Sequence, residues 1–293
     1  MVALLRVVAG GAACRNGTEP FVTVLTTLPF VRPAKAESVR ARHFFETLLA
    51  LGQNTAFPSV AEVHVVVDAV DAPRSDNNST SRDEDDSEAT ELLREATRRL
   101  TGATVALWKL TAHVWGRQPT YADMLRYAST RFAGHFVALT NADVVLPNLY
   151  RLDRAAFRSQ RLAFTLAVRP PAKNRTCRTP TMCLVNQGSW DVHLFESPLP
   201  SDAQWHFLEE LQPGPIFMNQ MGAENRVGIF LHASGYDLRN PCFDLIAEHW
   251  HCSPKTHHNN VLVWDWLKTP HLRLPGHIVD PSRSDRGILD DEC

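Results

Sequence analysis

Two polar side chains, Asn141 and Asp143, directly follow the apolar and β-branched run 135–140 in the segment HFVALTNAD. Such a run is typical of a buried strand. Side chains two residues apart on an extended chain point to the same side, so we expect this amide and this carboxylate to face one pocket. Their oxygens suit a divalent cation and the phosphates that it binds. The alternative is a simple turn, since Asn and Asp commonly end strands.

Two histidines in the segment 245–251 are further candidate ligands. The segment predicts a strand, on which His249 and His251 face one side and Trp250 faces the other. Imidazole is a common metal ligand, so one of these rings could complete a metal site. A pair of surface histidines without a ligand fits the same pattern. Zinc is disfavoured, because the nearby Cys252 has no second cysteine at the spacing of a tetrahedral site.

An acidic residue, Glu224, lies in the first turn of a helix predicted for 222–233. A carboxylate in this position can accept a proton from a hydroxyl group and so act as a general base. It can equally well only complement the helix dipole. Arg226 follows closely and is a candidate partner for a phosphate group or for Glu224, and Arg169, after another predicted strand, is a second phosphate candidate.

Further polar residues stand where other predicted strands end. Thr26 and Thr27 end the run 21–27, and Asp68 follows the run 62–67. In open α/β sheets, ligands bind outside the carboxyl ends of the parallel strands. We therefore expect these three residues and the segment 141–143 to line a single pocket.

The elements that must position these residues alternate between strand and helix through the first half of the chain. This order is typical of an α/β fold with a mostly parallel, Rossmann-like sheet flanked by helices. The second half is less regular. Strands are predicted at 21–27, 62–67, 104–110, 135–140, 162–169, 190–195, 245–251 and 261–267, and helices at 36–51, with Gly52 just past its end, 87–100, 119–133, 202–211 and 222–233.

Composition and charge exclude several classes of protein. The chain has 293 residues, of which 44% are hydrophobic and 21% charged, as in ordinary globular proteins. Its 30 basic and 32 acidic residues give a net charge of −2, so it lacks the basic excess of nucleic-acid binders. No apolar run reaches the roughly 18 residues of a membrane-spanning helix. We therefore expect a soluble chain with no transmembrane segment and no nucleic-acid partner.

Several segments resemble one enzyme family. GHFVALTNADVVL is similar to the segment of GT-A fold glycosyltransferases in which a strand ends in Asp-x-Asp, and in particular to a group with Asn-x-Asp at this position. Other segments match the same group in the same order, and the resemblance covers roughly residues 20–255. They are PTYADML at 119–125, SWDVHLF at 189–195, MGAENRV at 221–227, GYDLRNP at 235–241 and HWHCS at 249–253.

The resemblance implies a transferase that moves a sugar from a nucleotide-diphosphate donor, a UDP-sugar, to a hydroxyl group of a glycan, protein or small molecule. It implies Glu224 as the base of an inverting reaction. Asp68 would accept a hydrogen bond from the uracil, and Asp191 would lie beside the donor sugar or the acceptor. A divalent metal, Mn²⁺ or Mg²⁺, would bridge the diphosphate to Asp143. Asn141 is a weaker, neutral ligand, so Asp143 would supply most of the charge.

Two other functions fit parts of the sequence. A catalytically silent GT-A-like binding module is favoured by Asn141, which stands where many members of the family have Asp. Metal-dependent hydrolysis is suggested by the cluster HWHCSPKTHH at 249–258. No hydrolase signature accompanies that cluster, so it is the weaker alternative.

The predicted organisation is a GT-A-like domain at 20–268 between an N-terminal segment, 1–19, and an irregular tail, 269–293. The N-terminal segment is either disordered or a weak signal sequence. The acidic, Ser/Asn-rich segment 71–88 is predicted to be a disordered loop insertion. Six cysteines, of which Cys177 and Cys183 are close enough for a local disulfide, and several Asn-x-Ser/Thr sequences favour the secretory pathway or Golgi lumen over the cytoplasm.

Overall fold

The computed structural model describes residues 19–29, 39–68, 81–101, 105–115, 117–169, 190–210, 215–218 and 223–250. These residues form nine strands and six helices. The strands are β1 (Val22–Pro29), β2 (Val60–Asp68), β3 (Leu110–Trp115), β4 (Phe136–Thr140), β5 (Val144–Val145), β6 (Leu162–Ala167), β7 (Trp190–Glu196), β8 (Asp237–Arg239) and β9 (Glu248–His249). The helices are α1 (Val39–Ala56), α2 (Ser81–Thr101), α3 (Tyr121–Arg131), α4 (Arg154–Ser159), α5 (His206–Glu209) and α6 (Ala223–Ala233).

Seven strands form one sheet in the order β3-β2-β1-β4-β7-β6-β8, and β5 pairs with β9 in a separate small sheet. Within the large sheet β7 runs antiparallel to both of its neighbours, whereas the other neighbouring strands are parallel. The predicted α/β architecture, a mostly parallel sheet flanked by helices, is therefore confirmed. Because β7 is reversed, its first residues lie at the same edge as the carboxyl ends of β1 and β4.

Helices cover both faces of the sheet, and alternate residues of each strand pack on opposite sides. Val24 of β1 and Ala138 of β4 belong to a core that includes side chains of α1, α2 and α4. Leu25 and Leu139, the next residue on each strand, belong to a second core with α3, α5 and α6. We call these the α1 face and the α3 face. This alternation decides to which side each polar residue at the strand ends is directed.

The third strand differs from its prediction. Residues 107–109 of the predicted strand 104–110 form a short 3-10 turn, and the strand itself is Leu110–Trp115. The apolar run is misleading because Trp108 is 72% exposed. Lys109 is buried instead, and its ammonium group donates to the carbonyl oxygens of Phe57 and Val60 at 3.2 and 2.6 Å.

Two helix boundaries also differ from their predictions. Helix α1 continues through Gly52 to Ala56 instead of ending at residue 51. Helix α2 begins at Ser81, so 81–88 are helical and the predicted loop insertion at 71–88 is wrong for this part. Acidic side chains are favoured in the first turns of a helix, which a purely compositional argument overlooks. The predicted helix 202–211 is reduced to α5.

Several predicted features lie outside the described residues. They are the segments 1–18, 69–80 and 170–189, the strand at 261–267, the tail 269–293, and His251, Cys177 and Cys183. Within the described chain, no helix combines the length and hydropathy that a membrane span requires.

Candidate active site

The candidate site lies at the edge where β1 and β4 end and β7 begins. Leu25 of β1 pairs with Leu139 of β4, and Thr140 of β4 pairs with Val192 of β7. Thr26 and Asn141 therefore follow at the same level, beside Asp191. In a parallel sheet, ligands bind at this edge, outside the carboxyl ends of the central strands, which here include β1 and β4.

Asn141 is held by Asp191. Its amide nitrogen Nδ2 donates to Asp191 Oδ1 at 2.9 Å, and its backbone N–H donates to the Asp191 carbonyl at 3.2 Å. The hydroxyl of Thr140 donates to the same carbonyl at 2.9 Å. The side-chain oxygen Oδ1 of Asn141 is buried and has no hydrogen-bond partner among the described residues. This oxygen is a free acceptor in the wall of the site.

Asp143 points elsewhere, which corrects the expectation that Asn141 and Asp143 face the same side. The chain turns after Asn141, because the N–H of Val144 donates to the Asn141 carbonyl at 3.2 Å. Asp143 Oδ2 instead lies 2.9 Å from Nε2 of His249 and 4.0 Å from Nε2 of His43 on α1. The amide and the carboxylate thus contact different elements, β7 and β9.

The small sheet fixes the position of His249. Val144 pairs with His249, and the N–H of Trp250 donates to the Asp143 carbonyl at 2.7 Å. Asp143 and His249 are each only 6% exposed. The His249 N–H donates to the carbonyl of Arg169 at 2.8 Å, so an arginine backbone adjoins the pair. The buried Nε of Arg169 has no partner among the described residues.

A second cluster lies on the α3 face, around Tyr121. Burial raises the pKa of the Tyr121 phenol well above its usual value, and the negative charges of Glu224 and Asp191 raise it further. Both carboxylates therefore lie within electrostatic range of this phenol, although they come from α6 and β7. Glu224 is 9% exposed, so its carboxylate is largely shielded from water.

Helix α3 positions Tyr121 through a capping box, in which Thr120 and Asp123 bond each other's backbone N–H groups. Asp123 also binds Arg117. Burial alone would raise the pKa of Asp123, but the hydrogen bonds from Arg117 and Thr120 lower it to about 2.

His193, two residues after Asp191, is the other notable group of this cluster. Its ring contacts the Tyr121 ring edge-on, at 6.2 Å between centroids. Burial lowers the pKa of His193 to about 3, so the ring is neutral at physiological pH. Neither ring is among the site residues predicted from the sequence. The alternation of β7 could have identified His193, since side chains two apart on a strand share a face.

The remaining predicted residues are placed as follows. Arg226 is 1% exposed and donates through Nε and Nη2 to the Phe207 carbonyl at 3.0 and 2.8 Å. Burial lowers its pKa to about 10. Thr26 and Thr27 are buried, and the hydroxyl of Thr26 has no partner among the described residues. For Asp68 the structure describes only the backbone, which ends β2 between β1 and β3.

The described residues do not form a complete metal site. Across the described part of the chain, no three or more His, Cys, Asp and Glu side chains are grouped so that they could hold a metal ion. Asp143 and His249 could supply two ligands, but they hydrogen-bond each other, and the amide of Asn141 is directed to Asp191. Of the three ligands predicted from the sequence, Asp143 and His249 lie together, and His251 lies outside the described residues.

No family model matches the chain, and no curated protein sequence matches it. Three of the solved structures to which the chain is similar are the following. The mannosyltransferase PcManGT from Pyrobaculum calidifontis, in complex with GDP-Man and Mn²⁺, is 18% identical with a TM-score of 0.37, and the match covers 84% of this chain and 60% of that one. A 4-diphosphocytidyl-2C-methyl-D-erythritol synthase from Anaerococcus prevotii is 12% identical with a TM-score of 0.40, covering 85% and 98%. A UDP-glucose pyrophosphorylase from Acinetobacter baumannii is 9% identical with a TM-score of 0.36, covering 79% and 89%.

Proposed function

We propose that the chain is a glycosyltransferase that moves a sugar from a nucleotide-diphosphate donor, a UDP-sugar, to a hydroxyl acceptor. One observation carries the proposal. Two groups of buried polar residues lie next to each other at the edge where the central parallel strands end. Asp143 belongs to the first group through its contact with His249, and Asn141 belongs to the second through its contact with Asp191. One group contains Asp143, His249 and Arg169, and the other contains Asp191 and Glu224 around Tyr121. A donor with a charged diphosphate and a neutral sugar needs two such environments.

The first group is suited to the diphosphate. Arg169 has a buried guanidinium nitrogen without a partner among the described residues, and it adjoins His249 through the backbone. A guanidinium binds phosphate oxygens through paired, charge-assisted hydrogen bonds. We assign Arg169 to the diphosphate ahead of Arg226, whose Nε and Nη2 donate to a carbonyl of α5. We further propose that turnover requires Mn²⁺ or Mg²⁺, which Asp143, His249 and His251 would hold.

The second group is suited to the reacting hydroxyl. In our proposal Glu224 accepts the proton of the acceptor hydroxyl while that oxygen bonds to the anomeric carbon of the sugar. The bond from this carbon to the diphosphate breaks, and its electron pair leaves with the diphosphate. The uncharged phenol of Tyr121 lies within electrostatic range of both carboxylates, and the neutral ring of His193 packs against it, so neither ring supplies a competing positive charge. A positioned general base contributes about 100- to 10,000-fold to the rate.

The test is a donor-hydrolysis screen with UDP- and GDP-sugars in Mn²⁺, in Mg²⁺ and in EDTA. The variant Glu224→Gln keeps the shape of the side chain and removes the base, so it should lose most turnover and keep donor binding. Glu91→Gln, an exposed position on α2, is the control for loss of one negative charge. If the wild-type protein neither binds nor hydrolyses any donor, the proposal fails.

A catalytically silent binding module is the second candidate, because Asn141 replaces an acidic residue and its amide is bound to Asp191. Such a module would bind a donor with equal affinity in the wild type and in Glu224→Gln, and it would hydrolyse the donor in neither. Hydrolysis that is lost in Glu224→Gln excludes it.

For the location we propose the lumen of the secretory pathway. The disulfide-bonded state of Cys242 supports this, because disulfides persist in oxidising compartments. Protease protection of the protein in intact cell vesicles, lost when detergent is added, tests the proposal.

A further inference from the structure

Four titratable side chains form a continuous hydrogen-bonded chain between β2, β3 and the first half of α2. Glu62 Oε2 lies 2.8 Å from Nε2 of His64, and Nδ1 of His64 lies 2.9 Å from Nε2 of His113. Nδ1 of His113 lies 3.0 Å from Asp86 Oδ2. We call these residues the histidine chain. None of them belongs to the candidate active site.

The number of protons in this chain follows from its geometry. Each of the three contacts joins two atoms that cannot both act as acceptors, so each contact needs one proton. The carboxylates of Glu62 and Asp86 carry none when ionised, and two neutral imidazoles carry one ring N–H each. Two protons cannot complete three hydrogen bonds. With only two, one contact is left without a proton, so that either the two imidazole nitrogens or a carboxylate oxygen and an imidazole nitrogen face each other with lone pairs at about hydrogen-bond distance.

We propose that the histidine chain is a proton-binding site, which holds one proton beyond those of two neutral imidazoles and thereby fastens α2 to the edge strand β3. The third hydrogen bond and the two carboxylate charges stabilise this extra proton. Asp86 makes the link to the sheet, because its Oδ1 also accepts from the N–H of Val114 at 2.7 Å. The inference does not depend on the proposed transferase function.

The surroundings disfavour a positive charge on the His64 ring itself. Burial lowers the pKa of His64, and the positive charges of His113 and of Arg131 on α3 lower it further, against the raising effect of Glu62. Tyr127, also on α3, contacts His113 edge-on at 5.5 Å and stays neutral, because burial raises its pKa. The two imidazole planes are nearly parallel, at 2°, so one proton can be shared along their common hydrogen bond.

The substitution Asp86→Asn tests whether the third hydrogen bond of the histidine chain requires an extra proton. The amide oxygen of the new side chain can accept from Val114, as Asp86 Oδ1 does. Its amide nitrogen then supplies an N–H toward His113 Nδ1, where Asp86 supplies none. All three contacts are complete with two neutral imidazoles, so the variant needs no extra proton. Asp153→Asn is the matched control, because Asp153 caps α4 away from the histidine chain.

The first measurement is the urea unfolding equilibrium between pH 6.5 and 9. If the histidine chain holds the extra proton, the folded protein binds one proton more than the unfolded chain, and its stability should fall as pH rises and this proton is lost. The unfolding constant of the wild type and of Asp153→Asn should rise by up to about tenfold per pH unit in that window. Asp86→Asn should lack this rise. An identical rise in Asp86→Asn overturns the proposal.

A second measurement needs no variant. Nitrogen-15 NMR of ring-labelled histidine distinguishes protonated, donor and acceptor ring nitrogens directly. At pH 7.5 the proposal expects His64 and His113 together to carry three ring protons. Two neutral rings at that pH, with two ring protons, would refute the proposal even if Asp86→Asn failed to fold.

Discussion

Asp143 is buried and hydrogen-bonded to His249, so a substitution there can affect both the fold and the activity. Asp143→Asn keeps the volume and a hydrogen-bonding atom toward His249 but removes the negative charge. We expect it to lower donor turnover at least about tenfold, since one tenfold step corresponds to only about 1.4 kcal/mol of transition-state stabilisation. The thermal midpoint should change little. The measurement is donor hydrolysis in Mn²⁺ together with a thermal melt.

Asp143→Ala is the contrasting variant. It leaves His249 without its partner at Oδ2, and an unsatisfied buried polar group costs about 1 to 3 kcal/mol. It should therefore lower the melting temperature as well as the activity. Normal turnover by Asp143→Asn would mean that the carboxylate serves only to hold β9 in place.

His193 should contribute to the acid sensitivity of the fold. Its folded-state pKa is lowered from 6.5 to about 3 by burial, so below pH 6.5 the unfolded chain binds a proton that the folded protein resists. Its stabilising effect is complete above pH 6.5 and is lost as pH falls from 6.5 toward 3, by about 1.4 kcal/mol per pH unit. His193→Phe keeps a ring against Tyr121 and removes the titration. Its unfolding free energy should fall less steeply from pH 6 to pH 4 than that of the wild type.

The exposed His232 on α6 provides a control for this experiment. His232→Gln removes a histidine that is open to solvent, so its pH profile should match that of the wild type. Equal slopes for the wild type and His193→Phe would show that His193 is readily protonated in the folded protein.

At the scale of the elements, Gly52 allows α1 to approach α2. A Cβ atom at this position would lie 2.7 Å from the Thr101 methyl and 2.9 Å from the Thr97 methyl, closer than carbon atoms approach. Overpacking of this kind costs about 1 to 3 kcal/mol. We expect Gly52→Ala to lower the free energy of unfolding by that amount, measured in urea, even though Ala favours helix.

A second set of substitutions tests whether contact with the two threonine methyl groups causes the loss of stability. Thr97→Ser and Thr101→Ser remove the two methyl groups and keep the hydroxyls that donate to Leu93 and Thr97 carbonyls. In this background Gly52→Ala should be much less harmful. An unchanged penalty would indicate that the methyl contacts are not responsible.

Because helix α2 begins at Ser81, we expect two deletions within the acidic segment 71–88 to differ in their effect on stability. Removing 81–88 deletes the first turns of α2 and Asp86, which binds Val114 and His113 of β3. We expect a clear loss of stability. Removing 71–80 alone should leave the thermal midpoint and activity largely intact, because the entropy of closing a loop changes by only about 0.6 kcal/mol per doubling of its length. Thermal melts and donor turnover of the two deletions provide the comparison, and equal losses would contradict it.

The elements differ in how far the sequence can predict them. Strands β1, β2 and β4 and helix α3 follow from their patterns, because buried runs and Gly134, with φ 83° after α3, are local signals. The start of β3 does not follow, since burial of Lys109 depends on carbonyl groups some 50 residues away. Gly52 was misleading for a similar reason. A glycine that ends a helix and one that admits a neighbouring helix look alike in sequence.

For the whole molecule, the strand order explains which part of the site could be predicted. Parallel strands bring their carboxyl ends to one edge, so the meeting of Thr26 and Asn141 follows from fold class alone. Asp191 joins them only because β7 runs antiparallel to β4. The separation of Asn141 from Asp143 does not follow from fold class. It depends on a turn and on the pairing of β5 with β9, which are about 100 residues apart. Tyr121 was missed because its neighbours Glu224 and Asp191 come from two distant elements.

The stereochemistry of the product tests the two-part site as a unit. If Glu224 deprotonates the acceptor on the α3 face while the diphosphate is held by the Asp143 group, the acceptor oxygen attacks opposite to the leaving group. An α-linked UDP-sugar then gives a β-linked product. The proton NMR coupling at the anomeric carbon distinguishes the two configurations. A product that retains the α-linkage would remove Glu224 from the role of inverting base even if Glu224→Gln is inactive, because retention requires that the acceptor approach the face from which the diphosphate departs.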